Sequence, residues 1–426
     1  MQEVKFKSTD IGLIPEDWDM VTLGSLMCKI GSGVTPTGGS AIYTKVGHIF
    51  VRSQNVGWGV FGLDDVAFID EDTHQNQKST ELQEGDILLN ITGASIGRSA
   101  VVDSTVAGGN VNQHVCILRL KDPCVDSNYI CYSILTSGCQ KQIMELQNGG
   151  SREGLNFKQV ADILIALPHD KHEQWLISKA ISDNELMIRD IEDLLAKKRN
   201  IRAGVFHDLI SGVKRLSVNS DWTEESLGSL FNNIPTANYT RDELTNNGPV
   251  KYIHYGDIHT KFGNVVECDK TTLPTVSLEQ GDKYQKLIDG DLIMADASED
   301  YEGIGKSISI IANGCQVISG LHTILLRKKD ADKFDNEFLS YLFASRFVKQ
   351  QIEDFAEGTK VYSISYNKIA EVIIRYPQDK DEQHLIAHVL SDMDAEIQAL
   401  EEEKEKYINI KQGMMQQLLT GKIRLI

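Results

Sequence analysis

The residues closest in pattern to a reactive site are Gly305-Lys306-Ser307, which look like the end of a phosphate-binding loop. Such a loop needs a glycine five residues before Gly305, because its backbone amides must cradle the phosphates, and the chain has Asp300 there. The same pattern occurs earlier as Gly97-Arg98-Ser99. We therefore expect a structural turn that presents a basic side chain, and no nucleotide site.

His114 and His322 are the next candidates for chemistry, because imidazole can serve as a general base or a metal ligand. Neither has a partner at the spacing of a metal site or beside a nucleophile. The seven cysteines are scattered and contain no C-x-x-C pair, so neither a zinc site nor a disulfide framework is expected. We predict no catalytic residue, no metal and no cofactor in this chain.

These turns and histidines belong to a repeat that covers the whole chain at an offset that grows from 204 to 209 residues. Small growth in the offset is typical of loop insertions in a duplicated unit. The matched positions include Asp17-Trp18 with Asp221-Trp222, Leu23-Gly24 with Leu227-Gly228, Gly85-Asp86 with Gly290-Asp291, His114 with His322, and Arg119 with Arg327.

Each repeat divides into a β-rich part and a long helix. In the first repeat, short runs of branched and apolar residues predict strands over 46–52, 86–91, 99–102 and 115–120, and a helix over 127–147. Pro168 and Pro377 mark the ends of the β-rich parts. We thus predict an α+β fold with domains at residues 1–168 and 217–377, each followed by a spacer helix, at 169–216 and 378–426.

The two helices carry matched apolar seams whose positions alternate by three and four residues or sum to seven, which is typical of coiled coils. Because one helix cannot bury such a seam alone, we expect the two to pair antiparallel around an internal pseudo-two-fold axis. The residues expected to meet across the pair are Ile177, Ile181, Ile188 and Ile191 of the first helix with Ile386, Leu390, Met393 and Ile397 of the second.

The composition is that of an ordinary soluble protein, with 41% hydrophobic and 24% charged residues. No apolar run follows Met1 and none reaches the length of a membrane span, so we expect neither a signal peptide nor a membrane partner. Scattered cysteines favour a reducing cytoplasm. The net charge of −18 argues against indiscriminate nucleic-acid binding, although a specific binder with local basic patches remains compatible with it.

The ordered motifs resemble those of the specificity subunit of type I restriction-modification systems. The resemblance covers essentially the full length of the chain. Each motif is weak alone, but the motifs occur in the same order in both repeats, and a long helix follows them each time. The motifs are Asp17-Trp18 with Leu23-Gly24, Glu84-Gly85-Asp86-Ile87-Leu88, Ile96-Gly97-Arg98, the run from Tyr252 to Ile258, Ser319-Gly320-Leu321-His322-Thr323, and the helix openings at 170–174 and 379–383.

That resemblance implies two target recognition domains, each reading one half of a split, asymmetric site in double-stranded DNA. It implies spacer helices that set the gap between the half-sites and dock two methyltransferase (modification) subunits, which restriction/translocase subunits join. The methyl donor and ATP would belong to those partners. This chain has no Pro-Pro pair, which an adenine methyltransferase of this type would need, so we expect a non-catalytic subunit.

Specific readout of DNA needs Arg, Lys, Asn, Gln or Ser at base edges and cations at phosphates. The candidates in the first domain are Lys45, Arg52, Ser53, Asn55, Arg98 and Arg152. Those in the second are Arg241, Lys251, His254, Tyr255, Lys306, Lys360 and Tyr362. Any one of them is equally compatible with a solvated surface residue. Tyr43 and Tyr255 are as compatible with the core of a strand as with base stacking.

A second interpretation is a coiled-coil interaction scaffold that binds no nucleic acid. The basic residues at matched turns, Arg98 and Lys306, favour a DNA reader over that scaffold.

Overall fold

The computed structural model describes residues 5–36, 42–147, 154–217, 221–301, 303–358 and 360–426. The chain forms two compact units. The first comprises Met1–Glu192 together with Glu402–Ile426, and the second comprises Asp193–Glu401. Each unit therefore combines one β-rich part with segments of both long helices. Among the described residues, no helix has the length and apolar character needed to cross a membrane.

The first unit is built on short strands with helices packed beside them. Its strands are β1 (Phe6–Thr9), β2 (Gly12–Pro15), β3 (Trp18–Thr22), β4 (Met27–Ser32), β5 (His48–Val51), β6 (Ala67–Ile69), β7 (Ile87–Asn90), β8 (Ser99–Val101), β9 (Asn110–Val111), β10 (Val115–Leu120) and β11 (Leu164–Pro168). Its helices are α1 (Leu23–Leu26), α2 (Glu71–Asn76), α3 (Ser127–Ile134), α4 (Ser137–Gln147), α5 (Phe157–Asp162) and the beginning of α6 (Lys171–Ile210).

The main sheet of the first unit has the order β4-β10-β7-β8. Every residue of β7 is buried, which explains why its first three residues are apolar without alternation. A second sheet of order β6-β5-β9 contains the parallel pair β5–β9, and β3 pairs antiparallel with β11. The strands predicted over 46–52, 86–91, 99–102 and 115–120 correspond to β5, β7, β8 and β10.

The second unit contains the matching elements. Its strands are β12 (Trp222–Ser226), β13 (Phe231–Ile234), β14 (Val250–Ile253), β15 (Val265–Glu267), β16 (Thr275–Val276), β17 (Leu292–Ala295), β18 (Ala297–Ser298), β19 (Ser307–Ile311), β20 (Val317–Ser319), β21 (Thr323–Lys328), β22 (Tyr362–Ser363) and β23 (Ile373–Pro377). Its helices are α7 (Leu227–Leu230), α8 (Tyr255–Thr260), α9 (Leu278–Gly281), α10 (Asn336–Ala344), α11 (Arg346–Phe355), α12 (Tyr366–Glu371) and most of α13 (Lys380–Leu418).

The main sheet of the second unit repeats the order of the first as β13-β21-β17-β19 and adds β15 at its edge. The order β16-β14-β20 repeats β6-β5-β9, with a parallel β14–β20 pair in the matching place. β12 pairs with β23 as β3 pairs with β11. The sequence repeat is therefore a repeat of the fold, and the mixed helix and strand content agrees with the predicted α+β class.

A buried ion pair explains the repeated Gly-Asp motif. In the first unit, Arg119 on β10 donates from Nε to Oδ1 and from Nη2 to Oδ2 of Asp86, both at 2.7 Å. Arg327 makes the same two-point contact with Asp291 at 2.8 and 2.6 Å. Both carboxylates are almost fully buried, and their hydrogen bonds raise the pKa of each arginine. The pair ties the turn before β7 or β17 to the adjacent strand.

The long helices run antiparallel within each unit. In the first unit, Glu185 of α6 contacts Lys411 of α13 at 2.6 Å, and Glu192 contacts Lys404 at 3.8 Å. As the residue number rises along α6 it falls along α13, which defines the antiparallel direction.

The second unit shows the same direction. There Arg202 donates from Nε to Oδ1 of Asp394 at 2.8 Å and Arg215 donates from Nε to Oε1 of Glu382 at 2.9 Å.

The predicted register between the helices needs correction. Ile177 and Ile181 lie in a core cluster with Leu418 and Leu419, whereas Ile386 and Leu390 lie in another cluster with Leu209 and Ile210. In an antiparallel pair the beginning of one helix meets the end of the other, so seam residues near both beginnings cannot contact one another. Coiled-coil packing along the seam stays a prediction, as do the partners of Ile188, Ile191, Met393 and Ile397.

The predicted helix over 127–147 is wrong in one respect, because it is two helices. α3 ends at Ile134 and α4 begins at Ser137. The Thr136 side chain accepts a hydrogen bond from the Cys139 amide at 3.4 Å, which caps the new helix.

Candidate nucleic-acid interface

In the first unit, Asn90 at the end of β7 joins two turns at the surface. Its side-chain nitrogen donates to the Ser53 carbonyl at 2.8 Å and to Ser95 Oγ at 3.1 Å. Its backbone amide donates to the Arg98 carbonyl at 2.8 Å. Since Asn90 is fully buried, these bonds fix the turn that begins at Ser53 against the turn that carries Arg98.

The two arginines of this surface differ in what they contact. Arg52 donates from Nη2 to the Asp65 carbonyl at 2.8 Å, and its guanidinium lies 5.6 Å from the centre of the Tyr43 ring. The half-buried Arg98 side chain makes no hydrogen bond or ion pair with any described residue. Arg98 therefore offers an unneutralised cation, whereas Arg52 is held by the protein.

Asn55 is 2% exposed, and its amide group is saturated by the protein. Its side chain accepts from the Arg52 amide at 3.0 Å and donates to the Gly62 carbonyl at 2.9 Å. A buried amide whose hydrogen bonds are made cannot reach a base edge without unfolding its turn. We assign Asn55 a structural role in shaping the turn, and no longer a contact with DNA.

His114 extends the surface of the first unit between β9 and β10. Its Nδ1 lies 2.6 Å from Thr92 Oγ1, and its Nε2 lies 3.1 Å from Gln113 Nε2. Its carbonyl accepts from the Ile91 amide at 3.0 Å. Hydroxyl, amide and imidazole groups thus stand together, and such groups can donate to and accept from base edges.

The matching surface of the second unit begins at the N-terminus of α8. His254 caps this helix, since its Nδ1 accepts from the Gly256 amide at 3.0 Å. Burial, followed by the charge of Arg241, lowers the pKa of His254. Arg241 donates from Nη2 to Asp257 Oδ1 at 3.0 Å. Burial acts to raise the pKa of Asp257, but hydrogen bonds from Lys261 and Arg241 lower it overall.

Tyr255 is the centre of an aromatic group on this surface. Its ring centre lies 4.8 Å from that of His254, 5.3 Å from that of His322 and 6.2 Å from that of His259. His322 Nδ1 is 3.3 Å from Asp296 Oδ1, and burial raises the pKa of Asp296. This surface is therefore aromatic where that of the first unit carries amide and hydroxyl groups.

Two of the predicted lysines, Lys306 and Lys251, donate to backbone carbonyls. Lys306 donates from Nζ to the carbonyl of His259 at 3.1 Å, and the His259 ring belongs to the aromatic group around Tyr255. Lys251 donates from Nζ to the carbonyl of Cys268, in the turn after β15.

The predicted site residues are thus brought together only in part. The structure joins Arg52, Ser53 and Arg98 in the first unit, and Arg241, His254, Tyr255 and Lys306 in the second. Lys45 is exposed in a turn before β5. Lys360 is exposed beside β22, where the Tyr362 ring centre lies 5.2 Å from that of Tyr301. Arg152 lies outside the described residues.

The surfaces include residues that the sequence reasoning did not select: Thr92, Gln113 and His114 in the first unit, and His259, Asp296 and His322 in the second. A signal for two of them was present, since His114 and His322 recur at the repeat offset. The sequence alone suggests them only as possible metal ligands or partners of a nucleophile. The described residues include no group of three or more side chains that could hold a metal ion.

Comparison with known proteins defines the class of this fold and surface. The family model for the type I restriction modification DNA specificity domain matches residues 15–196 and again residues 219–409. The chain therefore belongs to this family of DNA specificity proteins, with two copies of the domain, and DNA recognition is its role.

Individual relatives match over their whole lengths. The chain is 23% identical to the putative type I restriction enzyme MjaX specificity subunit of Methanocaldococcus jannaschii, covering 100% of this chain and 98% of that protein. It is 24% identical to the type I restriction enzyme MjaVIII specificity subunit of the same organism, covering 100% and 97%.

Solved structures show the same fold. The S subunit of the type I restriction-modification system from M. genitalium matches with a TM-score of 0.56 at 15% identity, over 98% of this chain and 99% of that one. A chain from a structure of the type I R-M system, solved to explain complex assembly and conformational transition, matches with a TM-score of 0.58 at 15% identity, over 96% and 99%.

Proposed function

We propose that each unit of this chain reads one half of a split, asymmetric site in double-stranded DNA. The observation that carries the proposal is a pair of equivalent surfaces with different side chains. The carbonyls of His114 and His322 accept the same backbone hydrogen bond, from Ile91 at 3.0 Å and from Asp296 at 3.1 Å. The neighbouring side chains then differ.

That difference is what two half-sites of unlike sequence require. In the first unit, Thr92 and Gln113 offer hydroxyl and amide groups beside the imidazole. In the second, the groups beside the His322 imidazole are the aromatic ring of Tyr255 and the carboxylate of Asp296. A shared frame fixes where a base edge meets the protein, and the side chains on it decide which base is preferred.

The acidic net charge of −18 fits this division of labour. Many carboxylates belong to α13, among them Glu401, Glu402, Glu403 and Glu405. Cations without a described partner, such as Arg98, belong to the β-rich surface. We propose that phosphates meet the β-rich surfaces, while the acidic helix stays off DNA or meets basic patches of partner proteins.

We further propose that α6 and α13 set the gap between the half-sites and dock two methyltransferase subunits, which restriction/translocase subunits join. Exposed apolar side chains near the beginnings of both helices support docking, since Trp175 is 47% and Leu385 is 48% exposed. Both relatives named above are specificity subunits of restriction enzymes. In this proposal the chain has no catalytic chemistry, and the methyl donor and ATP belong to the partners. We place the complex in the cytoplasm, where the seven free thiols of this chain would persist.

The test is a comparison of DNA methylation in cells with and without this chain, while the partner subunits stay present. We expect one split methylation motif that disappears when the chain is absent. A motif that persists without the chain would overturn the proposal. Electrophoretic shift by the purified complex separates the DNA reader from a scaffold without DNA binding, which would give no shift with any duplex.

A further inference from the structure

His322 has a backbone conformation that is uncommon for a residue with a side chain. Its φ is 56°, in the left-handed region that residues with a Cβ seldom adopt. Among the described residues other than glycine, Asn313 alone shares a positive φ, at 46°, in a turn before Gly314. Asparagine is common in such turns because its short polar side chain tolerates that region. His322 also lies in a turn, the one between β20 and β21, but its side chain is the larger imidazole.

The surrounding hydrogen bonds hold this conformation in place. The Leu321 amide donates to the Tyr252 hydroxyl at 2.8 Å, and the His322 carbonyl accepts from the Asp296 amide at 3.1 Å. The Thr323 hydroxyl donates to the Gly320 carbonyl at 2.5 Å. These bonds fix the backbone on both sides of His322. Its imidazole, 51% exposed, lies beside Asp296 and Tyr255.

The first unit shows that the strand connection itself does not require a positive φ. His114 occupies the equivalent place, and its carbonyl accepts the equivalent bond from Ile91. Its φ is not positive. Its imidazole turns to Thr92 and Gln113, whereas that of His322 meets the edge of Tyr255 at 75° between ring planes. The positive φ therefore occurs in the repeat whose histidine ring lies beside Tyr255, and not in the repeat whose histidine contacts Thr92. Uncommon backbone conformations of this kind cluster at functional sites.

The chemistry of His322 suits a hydrogen bond with a base. Asp296 lies on the Nδ1 side of the ring, which leaves Nε2 without a partner among the described residues. An imidazole nitrogen directed outward can bond with the acceptors and donors of a base edge in the major groove. The Tyr255 ring beside it provides an apolar wall that excludes water from one side of such a bond.

We infer that His322 is a specificity-determining residue that contacts a base edge of the half-site read by the second unit. This inference rests on the proposed function, because it assumes that the second unit reads DNA. It adds one residue and one kind of contact that the proposed function does not require.

The test compares His322→Asn and His322→Gly with the parent chain, each in the assembled complex, by sequencing methylated sites and by thermal unfolding. We expect both variants to lose about tenfold or more of their discrimination at one position of one half-site. His322→Gly should unfold at the same temperature as the parent chain or higher, since glycine adopts a positive φ freely. Asn313→Gly is the matched control, because it also places glycine at a positive φ. We expect its methylation motif to equal that of the parent chain.

Two outcomes would overturn the inference. One is an unchanged motif for both His322 variants. The other is equal weakening on all sequences, which would identify a phosphate contact instead. Failure of the proposed function is visible separately, because the parent complex would then yield no split motif.

Discussion

Arg424 Nη2 lies 2.8 Å from Glu173 Oε2, although 251 positions separate the two residues in the chain. Glu173 is fully buried and also accepts from Trp18 Nε1 at 3.2 Å. The second unit has the matching contact, with Arg215 Nη2 2.9 Å from Glu382 Oε2. In each unit, an arginine that follows the end of one long helix therefore forms an ion pair with a buried glutamate near the beginning of the other.

We expect Arg424→Ala to destabilise the first unit strongly. The substitution leaves the Glu173 carboxylate buried without its ionic partner, which costs about 3–5 kcal/mol in comparable cases. The measurement is chemical denaturation of the full chain, followed by a probe such as Trp18 fluorescence. Arg199→Ala is the control, because the Arg199 and Glu401 side chains are both largely exposed and their pair should contribute little. Equal effects of the two substitutions would refute a special role for the buried contact.

A second contact of Arg424, with the Asp17 carboxylate at 2.8 Å, predicts a pH dependence. The hydrogen bond from Arg424 lowers the pKa of Asp17, although burial acts in the opposite direction. A carboxyl whose pKa is lowered by folding stabilises the folded state at any pH above its unfolded pKa, which is near the ordinary 3.8. That stabilisation is lost as the pH falls towards and through the lowered pKa of the folded state. Asp17→Asn should therefore be less stable than the parent chain at neutral pH, and the difference should shrink below the ordinary pKa. A stability difference that does not vary between neutral and acidic pH would contradict this assignment.

The repeat, the α+β class and the existence of the two long helices could be predicted from sequence, because their signals are local. Gly-Asp turns, apolar runs and seams of period 3.5 are visible within a few residues of each other. The register of the helix pair could not be predicted, because contacts such as Arg424 with Glu173 join distant positions. Asn55 is a different case, since its partners Arg52 and Gly62 are near in sequence, but the burial that removes it from a DNA contact is a tertiary feature without a local signal.

In the candidate site, too, the residues with a local sequence signal could be predicted and those defined by tertiary contacts could not. Arg98 and Lys306 were found because each sits in a repeated turn. His322 was visible as a repeated histidine, but its positive φ and the ring of Tyr255 beside it are tertiary features without a sequence signal.

Arg98→Ala should weaken binding of the complex to all DNA sequences alike. The side chain has no described partner to neutralise it, so it is suited to a phosphate. Removal of one phosphate contact lowers the slope of log affinity against log salt concentration by about 1. The salt dependence of affinity for specific and unrelated duplexes gives the measurement. Lys141→Ala, on the exposed face of α4 beside Glu145, should change neither quantity. A changed motif with an unchanged salt slope would show that Arg98 reads a base.

An insertion of one helical turn between Leu195 and Lys198 should change the gap between the half-sites and leave their bases unchanged. The reason is that α6 is one continuous helix from Lys171 to Ile210, so added residues alter distance along it. The insertion also shifts the partners of Arg202 and Asp394, so stability must be measured beside the methylation motif. New base preferences at an unchanged gap would contradict the role of the helices as spacers.

The most direct measurement of the central claim is methylation-site sequencing for the parent complex beside Gln113→Ala and Tyr255→Ala. Gln113 belongs to the surface of the first unit and Tyr255 to that of the second. The account predicts a split motif for the parent, altered in one half by Gln113→Ala and in the other half by Tyr255→Ala. Alteration of both halves by either substitution would contradict the claim that each unit reads its own half-site.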